Sequence, residues 1–254
     1  MPILEAGNIV KVYGESGQEH STTALKGLDL SINKGDFIAI MGPSGSGKST
    51  LLNILSGMDQ PTSGVVTIKD EKISELKGDD LALFRRRELG FIFQDFNLLD
   101  SLTVKENIIL PMVLEGKSAD EMDKRAVYLS GLFGIESILN QYPYQISGGQ
   151  QQRTAVSRAL VNEPGIILAD EPTGNLDSSS SAAIMECFEK VVEELSTTVI
   201  LVTHDVFAAS YSQRVVFLQD GAIHSSIQKQ GSRESFLKQI IDHQRTFGGA
   251  SHVF

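Results

Sequence analysis

The segment Gly42–Ser49 reads GPSGSGKS and has the residue types and spacing of a loop that wraps phosphate groups. The apolar run Phe37–Met41 precedes it and a helical run from Thr50 to Ser56 follows, which is the context that such a motif requires. Glycines let the backbone curl so that successive N–H groups point at phosphate oxygens, and the helix N-terminus adds partial positive charge. The residues expected to bind the phosphates of a nucleotide are Gly42, Pro43, Ser44, Gly45, Ser46, Gly47, Lys48, Ser49 and Thr50.

Two adjacent carboxylates, Asp170 and Glu171, end a second apolar run that reads IILADE. Ligands of α/β sheets bind at the carboxyl ends of the strands, so these groups are expected beside the phosphate loop. There Lys48 would face the β- and γ-phosphates, and Ser49 would offer its hydroxyl to Mg²⁺. Asp170 would hold the hydration shell of Mg²⁺, and Glu171 would polarise an attacking water. Taken alone, the two carboxylates could also be a solvated pair at a strand end.

Two more polar residues follow apolar runs, and each by itself could be an ordinary strand-end residue. His204 follows the run Thr198–Thr203, and Gln94 follows Gly90–Phe93. Because the carboxyl ends of parallel strands share one edge of a sheet, both side chains are expected near Lys48 and Asp170. His204 would then reach the γ-phosphate, and Gln94 would be the fourth polar residue on that edge.

Composition limits the classes of function that the 254 residues can have. The chain is 41% hydrophobic and 21% charged with a net charge of −10, so no broad basic face and no nucleic-acid partner is expected. The single Cys187 cannot form an internal disulfide or a multi-thiolate metal site, and its helical spacing predicts a core position. No secretory signal and no apolar run of the ~18 residues that span a bilayer is visible. We therefore expect an intracellular protein that reaches a membrane only through a partner.

The order of the patterns predicts an α/β fold, with a mostly parallel sheet and helices as in a P-loop NTPase core. Residues 1–254 are expected to form one nucleotide-binding domain with an N-terminal antiparallel β layer, a polar loop from Glu15 to Thr22, and a helical lobe over 97–162. The apolar opening of that lobe, Phe96 to Leu99, is expected to meet another protein, unless its leucines are buried. A helical tail is predicted over 232–254. The lobe's apolar positions include Val104, Ile108, Ile109 and Met112, then Val127, Leu129, Leu132 and Phe133; one face of the tail carries Phe236, Leu237, Ile240, Ile241 and Gln244.

The segment Ile146–Arg153 reads ISGGQQQR and resembles the signature of ATP-binding cassette (ABC) ATPases, in which Leu is more usual at the position of Ile146. The other marks of that family follow in chain order from about Leu4 to Gly221. They are Tyr13, GPSGSGKS, Gln94, the signature, IILADE, the loop Gly174–Asp177 and His204.

The resemblance implies that two cassettes face each other head to tail and enclose two ATP molecules. Each ATP would lie between one copy's phosphate loop and the signature of the other, with Tyr13 stacked on adenine. Glu171 would be the general base, His204 would position the γ-phosphate, and Lys48 with Mg²⁺ would stabilise the transition state. The signature residues implied to contact the partner's ATP are Ser147, Gly148, Gly149 and Gln150, and the implied Mg²⁺ ligands are Ser49, Gln94 and Asp170.

Longer segments resemble the ATPase subunits of bacitracin-export and other antimicrobial-peptide resistance transporters. They read FIFQDFNLLDSLTVKENIILP, ADEPTGNLDS and VTHDVFAASYSQRVVFLQDG. This likeness implies a second copy of the chain, an integral membrane permease and, through the permease, a sensor histidine kinase as partners, on the cytoplasmic side of the membrane. Lipoprotein-release and macrolide exporters and importers remain alternatives. A cassette ATPase that works on DNA or ribosomes is a further one, but the chain lacks the coiled-coil insertions, zinc cysteines or second cassette of that class.

Overall fold

The computed structural model describes residues 1–14 and 21–248, so most of the predicted polar loop and the end of the tail lie outside the described residues. The described elements, in chain order, are β1 (Pro2–Tyr13), β2 (Thr22–Asn33), β3 (Phe37–Met41), α1 (Lys48–Leu55), β4 (Ser63–Ile68), β5 (Glu71–Lys72), α2 (Gly78–Glu88), β6 (Leu89–Ile92), α3 (Val104–Leu114), α4 (Ala119–Phe133), α5 (Gly148–Leu160), β7 (Ile166–Asp170), α6 (Ser178–Leu195), β8 (Thr198–Val202), α7 (Val206–Ala209), β9 (Arg214–Gln219), β10 (Ala222–Gln228) and α8 (Arg233–Gly248).

The central sheet has the strand order β10-β9-β3-β8-β7-β6 among the described residues. Its strands β9, β3, β8, β7 and β6 are parallel, and β10 joins the edge antiparallel to β9. A second, antiparallel sheet has the order β2-β1-β4-β5. The predicted α/β class and the N-terminal antiparallel layer are therefore confirmed, and β3 and β7 begin and end at the predicted residues.

The central sheet is buried on both faces, and β3 shows how the two cores are divided. Side chains alternate along a strand, so Phe37, Ala39 and Met41 enter one core while Ile38 and Ile40 enter the other. The first core lies under the helices from α3 to α8, and it includes Cys187, whose thiol pKa burial raises to about 11. The second core joins the sheet to α1 and to the antiparallel layer. A strand buried on both faces explains the continuous apolar runs of the sequence.

The helices α3, α4 and α5 lie between β6 and β7 in the chain, where helical spacing was expected. Capping boxes begin all three, as with Thr103 and Glu106 at α3 and Ser118 and Glu121 at α4. One predicted core position is wrong, because Val127 is 57% exposed. The buried stripe of α4 consists of Ala126, Leu129, Ser130 and Phe133, one residue out of register with Val127.

The helix α8 packs on the rest of the chain through the apolar face that its spacing predicts. Phe236 and Ile240 are fully buried in the first core, whereas Leu237 and Ile241 are half-buried. The tail is thus part of the hydrophobic core as far as the structure describes it.

We expect Phe236→Ala to lower the free energy of unfolding by about 3–5 kcal/mol, because it removes a fully buried aromatic ring. Chemical denaturation followed by circular dichroism measures the change. Lys238→Ala, at an exposed position of the same helix, is the control and should change stability by less than about 0.5 kcal/mol. Equal stability of the two variants would contradict a core role for α8.

Candidate nucleotide-binding site

The loop between β3 and α1 comes so close to β9 that its first residue has no room for a side chain. A Cβ atom at Gly42 would lie 2.2 Å from the carbonyl oxygen of Leu218 and 2.6 Å from Ser46 Oγ. The Ser46 hydroxyl is buried and, among the described residues, has no hydrogen-bond partner. Buried hydroxyls are normally satisfied, so this oxygen suits a ligand that brings acceptors, as a phosphate does. The loop therefore fits the phosphate group that the sequence predicts.

Lys48 bends back over the loop from the first turn of α1. Its Nζ donates to the carbonyl oxygens of Gly42 at 2.8 Å and Pro43 at 2.9 Å. Partial burial lowers the pKa of Lys48, and the carboxylates of Glu171 and Asp170 oppose this shift. Phosphate oxygens placed in the loop would offer the ammonium group charged acceptors in place of neutral carbonyls.

Asp170 and Glu171 end β7 on the same edge of the sheet, as predicted. Desolvation raises the pKa of Asp170, the neighbouring Glu171 raises it further, and Lys48 acts against both. A divalent cation would favour the ionised form of Asp170 by the same electrostatic argument. Glu171 has a φ of 45°, a left-handed conformation that costs energy for a residue with a side chain. Its N–H donates to the carbonyl oxygen of Val202 at 2.9 Å, which ties this turn to β8.

Two residues that follow β8 hold the carboxylate of Glu171. Oε1 accepts from the backbone N–H of His204 at 3.0 Å and lies 2.7 Å from its Nδ1. Oε2 accepts from the hydroxyl of Thr203 at 2.9 Å. The side chain of His204 is 75% exposed, whereas that of Glu171 is 17% exposed. The structure thus joins the predicted base and the predicted histidine directly, through a contact that the sequence did not predict.

Thr203 is a residue of the site that sequence reasoning missed. Besides its bond to Glu171, its Oγ1 accepts from the N–H of Asp205 at 3.0 Å. The only sequence signal was a hydroxyl at the very end of the strand before His204, and strand ends often carry threonine.

Gln94 lies beside the loop that follows Glu171, and Asn175 connects the two. Gln94 Nε2 donates to Asn175 Oδ1 at 3.2 Å, and Asn175 Nδ2 donates to the carbonyl oxygen of Gln94 at 3.2 Å. Asn175 Nδ2 also donates to Asp95 Oδ1 at 2.8 Å. The sequence predicts Asn175 only as part of the family's loop Gly174–Asp177. Its contact with Gln94 spans 81 positions of the chain, which local patterns do not reveal.

Tyr13 lies at the end of β1, and the residue is 42% exposed. Its hydroxyl donates to Asp59 Oδ2 at 2.8 Å, while Lys11 Nζ lies 2.6 Å from Asp59 Oδ1 and 4.8 Å from the centre of the ring. Burial alone would raise the pKa of Asp59, but the hydrogen bonds from Lys11 and Tyr13 lower it. This network orients an exposed aromatic ring, which could stack on a base.

The signature segment forms the N-terminus of α5. Ser147 caps the helix by accepting from the N–H of Gln150 at 3.4 Å, and Gln150 Oε1 accepts from the N–H of Ser147 at 2.9 Å. Ser147 is exposed and Gly148 half-buried, but Gly149 is buried against α6, where an added Cβ would lie 3.0 Å from Ser180 Oγ. No described hydrogen bond joins residues 147–150 to residues 42–50. In the described part of a single chain, the signature is therefore a second helix N-terminus, separate from the phosphate loop, that could bind an anion.

None of the helices in the described part of the chain has the length and apolar character needed to cross a membrane. The profile of the ABC transporter family matches residues 25–174. The chain is 48% identical to the uncharacterised ABC transporter ATP-binding protein YvcR of Bacillus subtilis, over 100% of this chain and 98% of that protein. It is 45% identical to the bacitracin export ATP-binding protein BceA of Halalkalibacterium halodurans, over 99% of both.

Solved structures of ABC cassettes are also similar to this fold. The ATP-binding cassette MJ0796 of Methanocaldococcus jannaschii, in a dimeric post-hydrolysis state bound to ADP and Pi, superposes with a TM-score of 0.81. It is 42% identical to this chain and covers 90% of it, while all of the MJ0796 chain is covered. The family profile, the full-length relatives and the cassette structure agree, and the protein belongs to the ABC transporter family as an ATP-binding and ATP-hydrolysing cassette.

Proposed function

We propose that the protein is the ATPase subunit of a peptide-antibiotic exporter, in which two copies enclose two ATP molecules and drive a membrane permease. The proposed substrate class rests on the 45% identity, over 99% of both chains, to a protein named as a bacitracin export ATP-binding protein. The other proposed partner, beyond the permease, is a sensor histidine kinase that the permease would contact.

The proposed dimer rests on the dimeric MJ0796 structure and on the exposed N-terminus of α5. First-turn N–H groups and the helix dipole favour an anion at that end. In the proposed arrangement, Ser147, Gly148 and Gln150 of one copy approach the γ-phosphate that the partner copy's loop holds. Gly149 supports them from a buried position.

The proposed reaction is an in-line attack of water on the γ-phosphorus, which breaks the bond to the β–γ bridging oxygen. The oxygen-donating residues Ser49, Gln94 and Asp170 would hold Mg²⁺, which would neutralise charge on the phosphate oxygens. Glu171 would take a proton of the water, but in this structure its Oε1 is engaged by His204. We propose that the His204 side chain turns to the γ-phosphate when ATP binds, so that water can replace Nδ1 at Oε1. The backbone N–H of His204 and the hydroxyl of Thr203 would keep the carboxylate in place.

The proposed permease surface is a groove beside Gln94, lined among others by Phe91, Phe93 and Pro111 and flanked by Arg86. Leu99, which follows in the same segment, is 48% exposed, in line with the predicted contact role of this apolar loop. Because this apolar groove lies next to Gln94, which would be near the γ-phosphate, permease contact and nucleotide state would affect each other.

Exporters with other substrates are the second candidate. The lipoprotein-releasing ATP-binding protein LolD of Cytophaga hutchinsonii is 42% identical over 87% of this chain, and the macrolide export protein MacB of Wolinella succinogenes is 44% identical over 87%. The match to BceA covers 99% of both chains, whereas the match to MacB of Hyphomonas neptunium covers 99% of this chain but only 38% of that protein. This match over both full lengths favours the peptide-antibiotic class.

The substrate class is tested by expressing the chain with its own permease in a Gram-positive host that lacks such a transporter. We expect the minimal inhibitory concentration of bacitracin to rise at least about fourfold. Lys48→Ala is the control, because without the Lys48 ammonium group the loop loses the charge that holds the phosphates. An unchanged bacitracin tolerance with an assembled, ATP-hydrolysing complex would reject the peptide-antibiotic proposal and leave the ATPase assignment intact.

Glu171→Gln should keep ATP binding and slow hydrolysis by about 10²–10⁴-fold, because the amide cannot accept the proton of the attacking water. Fluorescent nucleotide titration measures binding, and phosphate release measures turnover. Turnover within about threefold of the parent protein would contradict the general-base role.

The dimer is tested with Ser147→Asp and Ser147→Asn in the Glu171→Gln background, where slow hydrolysis preserves an ATP-bound dimer. Both residues cap a helix as well as Ser does, so the pair differs mainly in charge. The carboxylate of Asp would face the partner's triphosphate, and repulsion at about 4 Å costs roughly 1–4 kcal/mol. We expect light scattering to show ATP-driven dimers for Ser147→Asn but at least about tenfold weaker dimerisation for Ser147→Asp. Equal dimerisation of the two variants would refute the contact across the interface.

A further inference from the structure

Gln152 lies on α5, one turn and a half beyond Ser147, and its side chain is fully buried. Its Nε2 donates to the carbonyl oxygens of Pro172 at 2.7 Å and Phe93 at 3.4 Å. Pro172 directly follows Glu171, and Phe93 directly precedes Gln94. A single amide group of the signature helix therefore holds the backbone next to both residues.

Packing alone does not explain a glutamine at this position. Among the described residues, Gln152 Oε1 is buried without a hydrogen-bond partner, which is an unfavourable environment for a polar atom. An apolar side chain of similar length would fill the space without that cost. The two bonds of Nε2 are the favourable interactions that the amide adds.

Arg158, on the same helix, holds the segment that follows Gln94. Its Nη2 donates to the carbonyl oxygen of Phe96 at 2.8 Å, and its Nη1 donates to that of Asn97 at 2.5 Å. Phe96 and Asn97 both have left-handed backbones, with φ values of 59° and 49°. Such conformations persist only where surrounding contacts stabilise them. Burial lowers the pKa of Arg158, and no described carboxylate pairs with it, so its guanidinium is directed at these carbonyls.

The helix itself lies directly on the strand that leads to Gln94. A Cβ atom at Gly90, in β6, would lie 2.4 Å from the carbonyl oxygen of Ala159 in α5. Three contacts therefore connect α5 to the segments that carry Gln94 and Glu171. They are the backbone contact at Gly90, the amide group of Gln152 and the guanidinium group of Arg158. Since a helix is stiff over the twelve residues from Ser147 to Arg158, movement of its N-terminus is passed along its length.

We propose that Gln152 and Arg158 are positioning residues that couple the signature of each subunit to the Gln94 and Glu171 of that same subunit. This inference rests on the proposed dimer, in which the signature touches one ATP while Gln94 and Glu171 act on the other. When Ser147 contacts the partner's ATP, α5 moves the carbonyls of Phe93 and Pro172 and thereby sets the catalytic geometry of its own site. The turnover at each site then depends on the ATP that the signature of the same subunit contacts at the other site.

The test uses two variants. Gln152→Met keeps the side-chain length but removes the amide donors, and Arg158→Lys keeps the charge but removes the planar guanidinium group that bonds two carbonyls at once. Ser157→Ala is the control, because within the described residues the Ser157 hydroxyl bonds inside α5, to the carbonyl oxygen of Arg153 at 2.9 Å. The full-length protein is assayed for ATPase rate against ATP concentration. ATP-driven dimerisation alone gives a Hill coefficient above one, with an upper limit of about two for two sites, so we expect such a coefficient for the parent, the control and both variants. For Gln152→Met and Arg158→Lys we expect a 10- to 100-fold lower turnover at saturating ATP, since misplaced catalytic groups cost roughly that much, while the ATP concentration that gives half the maximal rate changes less than about threefold.

Two further measurements separate coupling from folding and from the dimer itself. Each variant is also made in the Glu171→Gln background, where ATP-driven dimerisation and monomer ATP affinity should stay within about threefold of the parent. Turnover of Gln152→Met and Arg158→Lys within about threefold of the parent at saturating ATP would overturn the coupling role. So would a loss of activity that coincides with lost dimerisation or a collapsed melting temperature, because that result assigns both residues to folding alone. A Glu171→Gln parent that stays monomeric with ATP would instead reject the proposed dimer.

Discussion

The site depends on the parallel register of four neighbouring strands, β3, β8, β7 and β6. Hydrogen bonding between parallel strands brings their carboxyl ends to one edge, and each of these ends carries one part of the site. The phosphate loop follows β3, His204 follows β8, the two carboxylates end β7, and Gln94 follows β6. The apolar side chains on both faces of the sheet fix this register, because a slip of one residue would move the side chains of each core to the opposite face and disrupt the packing of both cores.

At that edge of the sheet, attraction between opposite charges or hydrogen bonding offsets the cost of burying each charged group. Desolvation lowers the pKa of Lys48 and raises that of Asp170, yet each partly compensates the other because they have opposite charge. Glu171 is satisfied by hydrogen bonds from Thr203 and His204 instead. A triphosphate with its cation would bring charges of both signs into the same place, so the site is arranged to exchange internal contacts for contacts with a ligand.

The helix α5 has two roles, and it can fulfil both only if it moves as one rigid unit. Its exposed N-terminus is the proposed contact with a partner's nucleotide, while its remaining length is packed on β6 and α6 and hydrogen-bonded to the catalytic segments. The buried Gln152 and the half-buried Arg158 make this packing specific, because a different arrangement of the helix would separate their donors from the carbonyls of these segments. The same contacts that stabilise the fold would therefore transmit a displacement between sites.

The sequence by itself determined the strands, the phosphate loop, the carboxylates, His204 and Gln94, because each depends on short-range patterns of apolar runs and turn residues. It also determined the helix starts at Thr103 and Ser118, since capping uses residues three positions apart. Only the tertiary structure decided that Thr203 holds Glu171, that Asn175 holds Gln94, and that Gly149 is buried by Ser180 while Val127 is exposed. These contacts join residues up to 81 positions apart, so they depend on strand order and side-chain direction, which local periodicity does not specify.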